Sequence, residues 1–475
     1  PAHRATARSS WTPRPCPGKD GVVTTDTQHP VRVVQLGGLM PFVRGWLRER
    51  YAAPELADLR DHAVAAGGTG GGSFALRDDD VDGSLRRGHD TVGDIDLAIG
   101  SDDPRAVIDY FRSLPEVVDV KYEGGSRASA ILTGEIKVDI WIEAPEAFGA
   151  NLFFVTGPTE HHIALREKVK KEGLKMREYG VIRRDDPEEK AIGPMRTEED
   201  VYRSIGLQYI PPEIRGAGRD IELAEKHKLP QLVESKHLLG DVHVHSREHG
   251  KRPALDALVE QARAMGYEWL CITDHCSASG GGGCTPDELR RQLDAIRKKG
   301  EKLNDLRLIC GVEVEILPDG SLDLDVVTLA GCEWVVARVS TETEGVDGDT
   351  LTQRIVWGLE TGVVSCLASP SGRRLGEDDG FDIDFDAVIE AAVDFGVALE
   401  LSGDPARLDL NAPRAARAQS HGALLVLGSN AYSAGTLENI DYALTQARRA
   451  WLEPHEVLNA LSADALLERV RALVR

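Results

Sequence analysis

A glycine-bounded turn followed closely by two aspartates constrains this chain more than any other stretch. The turn is Gly83-Ser84-Leu85-Arg86-Arg87-Gly88, and Gly93-Asp94-Ile95-Asp96 follows it. Successive side chains of a strand point to opposite faces, so Asp94 and Asp96 share one face if this segment is extended. The amides of such a turn, together with arginine, can hold a phosphate, and paired carboxylates can hold divalent metals. The stretch therefore predicts phosphoryl or nucleotidyl transfer.

A third carboxylate lies in a segment with the alternation of a half-buried strand. Lys137–Ile142 places an aliphatic residue at every second position, so Asp139 is predicted to face away from the apolar side. If this strand pairs beside the one with Asp94 and Asp96, three carboxylates converge. Two magnesium ions about 3.5–4 Å apart could then activate a 3′ hydroxyl and bind a leaving pyrophosphate. A D-x-D pair alone is more often a solvated strand face, but the upstream turn and the third carboxylate favour catalysis.

These residues resemble the palm of a family X DNA polymerase. The resemblance implies nucleotide contacts from the turn and from the residue before the aspartates: Gly83, Ser84, Arg87 and Gly93. It implies that Asp94, Asp96 and Asp139 are the catalytic residues and the ligands of two Mg²⁺ ions, and it assigns Lys137 to DNA. The implied substrates are deoxynucleoside triphosphates and a primer-template or gapped DNA duplex, in a repair reaction that fills gaps.

The next segment resembles the thumb of the same family. Phe153-Phe154-Val155-Thr156-Gly157 is similar to a Y-F-T-G turn, with Phe154 in place of tyrosine. The resemblance places Phe154, Gly157 and His162 at the nucleotide, with His162 where asparagine is common. Arg166 matches an arginine that reaches the template strand. Residues 160–184 hold more basic than acidic side chains on a chain of net charge −22, which suits DNA phosphate contacts, although a solvated helix face is the alternative.

A second set of metal-ligand residue types lies further along the chain. His243 and His245 alternate on one predicted strand, His275 follows a second strand, and Glu313 ends a third. Strands that alternate with helices and carry such residues at their ends predict an α/β barrel with a metal site at its mouth. Residues 238–475 resemble the PHP domain, a metal-dependent phosphoesterase module that follows the thumb in many bacterial family X polymerases.

The later metal-ligand positions of that domain are substituted in this sequence. Ser340 and Ser369 stand where the domain has histidine, and residues 428–432 lack its aspartate and histidine. Serine and asparagine bring neither charge nor strong basicity to a metal. We therefore expect one weakly held Mn²⁺ or Zn²⁺ at most, on His243, His245, His275 and Glu313, and an inactive hydrolase. Glu400 and Asp404 end another strand and could add a ligand, although loop acids usually face solvent.

The predicted fold class is a multidomain α/β and α+β chain. It has a disordered start (1–30), a helical lead-in and nucleotidyltransferase palm (31–147), a small thumb (148–215), a linker (216–237) and a distorted PHP-type barrel (238–475). The helix-hairpin-helix signatures that precede the palm in family X are not recognisable in residues 1–82, which predicts weak DNA affinity. The chain begins with Pro1 rather than methionine, which fits a piece of a longer protein.

The remaining expectations concern location and alternative functions. No apolar run approaches about 18 residues, so no membrane span is predicted. The 7 cysteines show no C-x-x-C spacing, which indicates reduced thiols in a cytoplasmic protein. The oligomeric state is left open, a monomer included. Two alternatives to polymerisation are a PHP phosphoesterase or exonuclease, and a non-catalytic DNA-binding or scaffold descendant.

Overall fold

The computed structural model describes residues 75–77, 83–114, 117–132, 137–246, 255–278, 283–340 and 343–471. The predicted disordered start and the predicted helical lead-in before the first sheet lie outside these residues. We call the described residues of 75–147 the sheet domain, those of 148–234 the helical domain and those of 238–471 the barrel domain.

The sheet domain is a five-stranded mixed sheet covered by one helix. Its strands are β1 (Ala75–Arg77), β2 (Asp94–Gly100), β3 (Val117–Glu123), β4 (Arg127–Leu132) and β5 (Lys137–Glu143), in the order β1-β2-β5-β4-β3. Helix α1 (Pro104–Ser113) begins after Asp103, whose side chain accepts a backbone N–H of the first turn. Its buried residues Val107, Ile108 and Phe111 form the apolar face that packs on the sheet, as their spacing predicts.

The pairing of β2 with β5 decides which side chains meet. The two strands are parallel, with Asp94 opposite Lys137 and Asp96 opposite Asp139. Strand β4 lies antiparallel on the other side of β5, with Ser129 opposite Asp139. Residues opposite each other on neighbouring strands project from the same face. The predicted pairing of the two aspartate strands is therefore confirmed.

The helical domain packs four helices around a hairpin. Its elements are α2 (Phe148–Thr156), α3 (Thr159–Lys171), β6 (Leu174–Arg177), β7 (Gly180–Arg183), α4 (Glu198–Ser204) and α5 (Arg219–Glu225). Phe153, Leu165 and Tyr202 belong to its buried core, and Ala224 and Leu232 belong to the same core. Residues 216–237, predicted as a linker, therefore contain a helix and contribute buried side chains to the helical domain.

A buried charge cluster ties the turn at residues 83–88 to the helical domain. Glu198 Oε1 forms an ion pair with Arg215 Nη2 at 2.8 Å, and Glu198 Oε2 accepts a hydrogen bond from Arg86 Nη2 at 2.5 Å. Burial alone would raise the pKa of Glu198, but the guanidinium groups of Arg215 and Arg86 lower it to about 2. Arg215 also lies over three rings, with its Cζ 5.5–5.9 Å from the ring centroids of Phe153, Tyr202 and Tyr209. The cluster stays ionised because each charge has an opposite partner.

The barrel domain is a parallel sheet that curves almost into closure. Its strands are β8 (Gly240–Val244), β9 (Trp269–Ile272), β10 (Arg307–Glu315), β11 (Trp334–Arg338), β12 (Cys366–Leu367), β13 (Ala398–Ser402) and β14 (Leu424–Gly428), in the order β14-β13-β12-β11-β10-β9-β8. Val244, at the end of β8, forms a parallel bridge with Ala431. This bridge brings the first and last strands together, so the sheet is nearly closed.

Helices surround the barrel and side chains fill it. The helices are α6 (Leu255–Ala264), α7 (Pro286–Gly300), α8 (Val326–Leu329), α9 (Gly348–Glu360), α10 (Phe385–Asp394), α11 (Ala412–Ser420), α12 (Ile440–Arg449) and α13 (Ala463–Arg471). Trp269 and Trp334 are fully buried in one cluster with Leu466 of α13. The strands read as nearly continuous apolar runs because both faces of the sheet are covered.

No helix in the described ranges is both long and apolar enough to cross a bilayer.

The buried charge cluster predicts a large effect of one substitution. Glu198→Ala leaves two buried guanidinium groups without their carboxylate, so the free energy of unfolding should fall by about 3–5 kcal/mol. Denaturant unfolding of both proteins measures this difference. Glu199→Ala, at the exposed neighbouring position of the same helix, is the control and should change stability by less than about 0.5 kcal/mol. Equal effects of the two substitutions would contradict a stabilising cluster.

Candidate active site

The three aspartates lie on one face of the sheet domain, with a lysine between two of them. Lys137 Nζ lies 2.9 Å from Asp94 Oδ2 and 3.4 Å from Asp139 Oδ2. Asp94, Asp96 and Asp139 are all buried, at 5%, 1% and 1% exposure. Hydrogen bonding to the carboxylates raises the pKa of Lys137 against the opposing effect of burial. A positive charge therefore stands among the carboxylates.

Two further side chains cover the aspartates from neighbouring positions. Trp141 Nε1 donates to Asp96 Oδ1 at 3.1 Å, and Arg127 Nη2 lies 3.4 Å from Asp139 Oδ2. The Arg127 guanidinium also sits over the Trp141 ring, 3.7 Å from its centroid. Asp139 faces away from the apolar core as predicted, but it is buried rather than solvated because these larger side chains lie over it.

A close grouping of donor atoms indicates a possible metal site. Among the described residues, His243, His245 and Glu313 form the one group of three or more such side chains whose donor atoms all lie within 4.8 Å of one another. The aspartates of the sheet domain share a face but are more widely spaced. Cation binding there requires the Lys137 ammonium to leave and the carboxylates to close around the ion.

The turn at residues 83–88 is packed against the end of α2. Gly83 has a φ of +68°, and a Cβ at this position would collide with the backbone of Thr156. Arg87 Nη1 donates to the Thr156 carbonyl at 2.5 Å, and Arg86 Nη1 donates to the Thr156 hydroxyl at 2.6 Å. Ser84 is fully buried and Arg87 is 2% exposed. The structure therefore brings the predicted phosphate-binding turn together with the Thr156–Gly157 segment.

A small recess at the start of the helical domain collects three more predicted residues. Phe154, His162 and Arg166 line it together with Phe153 and other side chains. His162 stacks on Phe154, with ring centroids 5.8 Å apart, and its Nε2 lies 3.1 Å from the Phe153 carbonyl oxygen. Burial lowers the pKa of His162 to about 3, so the ring is neutral. Arg166 is exposed at the rim of the recess.

The barrel domain gathers its predicted ligands around one carboxylate. Glu313 Oε2 lies 3.1 Å from His243 Nε2, 3.5 Å from His245 Nε2 and 3.0 Å from His275 Nδ1. Burial alone would raise the pKa of Glu313, but His275, Arg338 and His243 hold it well below its usual range. The structure thus brings all four predicted ligands into contact.

Other protein groups occupy the remaining bonding positions of this cluster. Arg338 Nε pairs with Glu313 Oε1 at 2.9 Å, and Glu400 Oε1 lies 2.9 Å from His243 Nδ1. The Tyr432 ring stacks on His245 with centroids 4.2 Å apart, and its hydroxyl lies 2.9 Å from His275 Nε2. Three donor atoms fit one ion, but the Arg338 charge opposes a cation at Glu313. The residues do not fit a centre of several metals.

Comparison with known proteins places this geometry in a family. The DNA polymerase/3′-5′ exonuclease PolX of Bacillus subtilis is 33% identical over 393 residues, which cover 82% of this chain and 68% of the relative. The chain belongs to the family X DNA polymerases. The family described as DNA polymerase beta thumb matches residues 151–216, which coincide closely with the thumb predicted from the sequence (148–215).

Two further relatives resemble shorter parts of this family X chain. A protein of Aliivibrio fischeri named as a probable phosphatase is 28% identical over 167 residues, or 34% of this chain and 62% of that protein. The DNA-directed DNA/RNA polymerase mu of Homo sapiens is 34% identical over 95 residues, or 20% of this chain and 19% of that protein.

Several residues of these sites were missed by sequence reasoning. Arg127 and Trp141 reach the aspartates only through the β4–β5 register, in which they are opposite each other. Arg338 stands two residues before the substituted position Ser340, and Tyr432 ends the substituted segment 428–432, so no ligand pattern marks either residue. The period-two alternation around Asp139 could have identified Trp141, because it placed both residues on one face.

The buried histidine of the recess predicts a specific pH dependence. The folded chain keeps His162 neutral down to a pKa of about 3, whereas the unfolded chain protonates it below about pH 6.5. Stability is therefore lost as the pH falls below about 6.5. Between pH 7 and pH 5 the original protein should lose about 1–2 kcal/mol more unfolding free energy than His162→Asn.

Denaturant unfolding at the two pH values measures this difference. His421→Asn makes the same substitution at an exposed position and should lose as much stability as the original protein. Equal losses in all three proteins would contradict burial of a neutral His162.

Proposed function

We propose that this family X polymerase adds deoxynucleotides to the 3′ end of a primer at short gaps in duplex DNA, as a repair activity with two Mg²⁺ ions. The observation that carries the proposal is the parallel register of β2 and β5, which sets Asp96 beside Asp139 with Asp94 on the same face. The Lys137 ammonium supports it as well, because it occupies a position between carboxylates that is suited to a cation.

The aspartates supply the chemistry of the transfer. Asp94, Asp96 and Asp139 would hold the ions, and Mg²⁺ in such a site lowers the pKa of the attacking hydroxyl and neutralises the leaving pyrophosphate. Asp139 would sit nearest the attacking oxygen, as a bridging ligand or as the acceptor of the 3′ hydroxyl proton. Lys137 would then exchange its carboxylate partners for DNA phosphate, which agrees with its 41% side-chain exposure.

The turn and the recess would bind the incoming nucleotide. Ser84 and Arg87, with the amides of Gly83–Gly88, would bind its phosphates, which requires Arg87 to exchange the Thr156 carbonyl for a phosphate oxygen. Gly93, directly before β2, lies between this turn and the aspartates in the chain. Gly157, Phe154 and His162 would flank the sugar and base.

The helical domain would also contact the DNA. The exposed guanidinium of Arg166 would reach the template strand. The substrate duplex would lie along this positively charged part of the helical domain, since phosphate contacts need basic side chains.

The polymerase proposal predicts the loss of primer extension on removal of one carboxylate. Asp94→Ala should lower the rate on a labelled primer in a short-gapped duplex by a factor on the order of 10³, because several kcal/mol of transition-state stabilisation are lost. Asp119→Ala, at an exposed position of β3, is the control and should extend normally.

The outcomes of this experiment separate the functional candidates. Extension that survives in Asp94→Ala with an unchanged rate would refute the proposed site. If the original protein and Asp94→Ala both bind DNA and neither extends the primer, the non-catalytic scaffold alternative is favoured.

A second candidate activity is hydrolysis of DNA 3′ ends by the barrel domain. The names of the Bacillus and Aliivibrio relatives favour it, and so does the close grouping of His243, His245 and Glu313. We propose instead that the PHP-like barrel is inactive. The Arg338 charge at Glu313 opposes the binding of further cations, and the Tyr432 ring stacks on His245 beside it.

Incubation of a 5′-labelled single strand with Mn²⁺ tests this part of the proposal. We expect the strand to stay full length with the original protein and with Glu313→Gln. Shortening by the original protein that disappears in Glu313→Gln would establish the hydrolase, because a carboxamide cannot replace the charge of the carboxylate.

A further inference from the structure

The predicted phosphate-binding turn touches the barrel domain as closely as it touches the helical domain. Gly88 has a φ of +70°, and a Cβ there would collide with the side chain of Thr445 on α12. The Gly88 carbonyl accepts from Arg449 Nη1 at 3.1 Å and from Gln446 Nε2 at 3.5 Å. The turn backbone therefore rests directly on α12.

A carboxylate just after the turn is held by two arginines of the barrel domain. Asp90 Oδ1 lies 3.0 Å from Arg449 Nη1, and Asp90 Oδ2 lies 2.8 Å from Arg373 Nη2. The side chains of Asp90, Arg449 and Arg373 are only 20%, 19% and 8% exposed. Ion pairs that are shielded from water in this way are stronger than exposed pairs, because screening is weaker.

Apolar contacts continue the same interface. Leu408, Leu375 and Tyr442 of the barrel domain pack with Leu85 and Val92 in the core of the sheet domain. Leu408 is fully buried there. Leu85 belongs to the turn itself, so the interface reaches both its side chains and its backbone.

The turn is thus held between two domains. Arg86 and Arg87 tie one side to Thr156 and Glu198 of the helical domain. Gly88 and Asp90 tie the other side to α12 and to Arg373. The contacts with the barrel domain therefore fix the turn on the side that faces away from the helical domain.

We propose that Arg449 and Arg373 are positioning residues for nucleotide binding, which act through Asp90 and the Gly88 carbonyl to hold the turn in place before Asp94. This inference rests on the proposed polymerase function. It gives the barrel domain a role in polymerisation that does not require hydrolysis. Both arginines contact Asp90, and Arg449 also contacts the Gly88 carbonyl, so their effect would pass through the turn.

The experiment compares four variants in steady-state primer extension. Arg449→Met keeps the length of the side chain but removes the charge and the donors, so the KM for deoxynucleotide should rise about tenfold. The kcat should change less than about threefold, because binding of substrate and transition state weaken together. Arg449→Lys keeps the charge and should recover part of the KM. Asp90→Asn should also raise KM. The double variant Asp90→Asn/Arg449→Met should raise KM by a factor smaller than the product of the two single factors.

Arg417→Met is the matched control. Arg417 lies on α11 and pairs with Asp386 at the surface of the same domain, so its loss should leave both KM and kcat unchanged. A KM in Arg449→Met equal to that of Arg417→Met would overturn the proposal.

Hydrogen exchange gives a second readout that does not depend on activity. The amides of Gly88 and His89 donate within the turn, to Leu85 and Ser84, and should exchange faster in Arg449→Met while the rest of β2 keeps its protection. Unchanged amide exchange together with an unchanged KM would refute the positioning role but not the proposed polymerase function. An original protein that neither extends a primer nor binds deoxynucleotide defeats the proposed function itself.

Discussion

The parallel pairing of β2 with β5 is the constraint on which the candidate active site depends. Two residues in one strand can share a face through the alternation of side chains alone. A third carboxylate reaches that face only because Asp139 stands opposite Asp96 in register. A slip of one residue would send Asp139 into the apolar core, where Val138 and Ile140 now lie. The apolar core thus holds the acidic face in place.

Buried carboxylates of like charge raise each other's free energy, so their neighbours must compensate. In the sheet domain Lys137 and Arg127 bring positive charge, and Trp141 brings a hydrogen-bond donor. In the barrel domain Arg338 does the same for Glu313. The two sites differ in how freely the positively charged side chain can move away from its carboxylate. Lys137 is a flexible chain that is 41% exposed, whereas Arg338 belongs to a cluster that is closed by the stacked Tyr432. The proposed metal binding at the aspartates needs a cation that can be exchanged for metal, and the proposed inactivity of the barrel needs one that cannot.

The same contrast gives the barrel domain a structural meaning. Its seven parallel strands and buried tryptophans form an intact core. On this core, α12 presents Arg449 to the turn that precedes β2. Close packing of the core keeps that surface rigid.

Sequence alone indicated the family, which the relatives confirm. It also predicted the three aspartates, the turn and a division into palm, thumb and barrel, because these predictions depend on local spacing and on alternation along single strands. The roles of those residues stay predictions that mutation must test. Only the tertiary structure showed Arg127 and Trp141 over the aspartates, Arg338 against Glu313, and Asp90 between Arg373 and Arg449. The last of these contacts joins residues more than 280 positions apart. No local pattern marks such a pair, because an arginine on a helix looks the same in sequence whether it meets solvent or another domain.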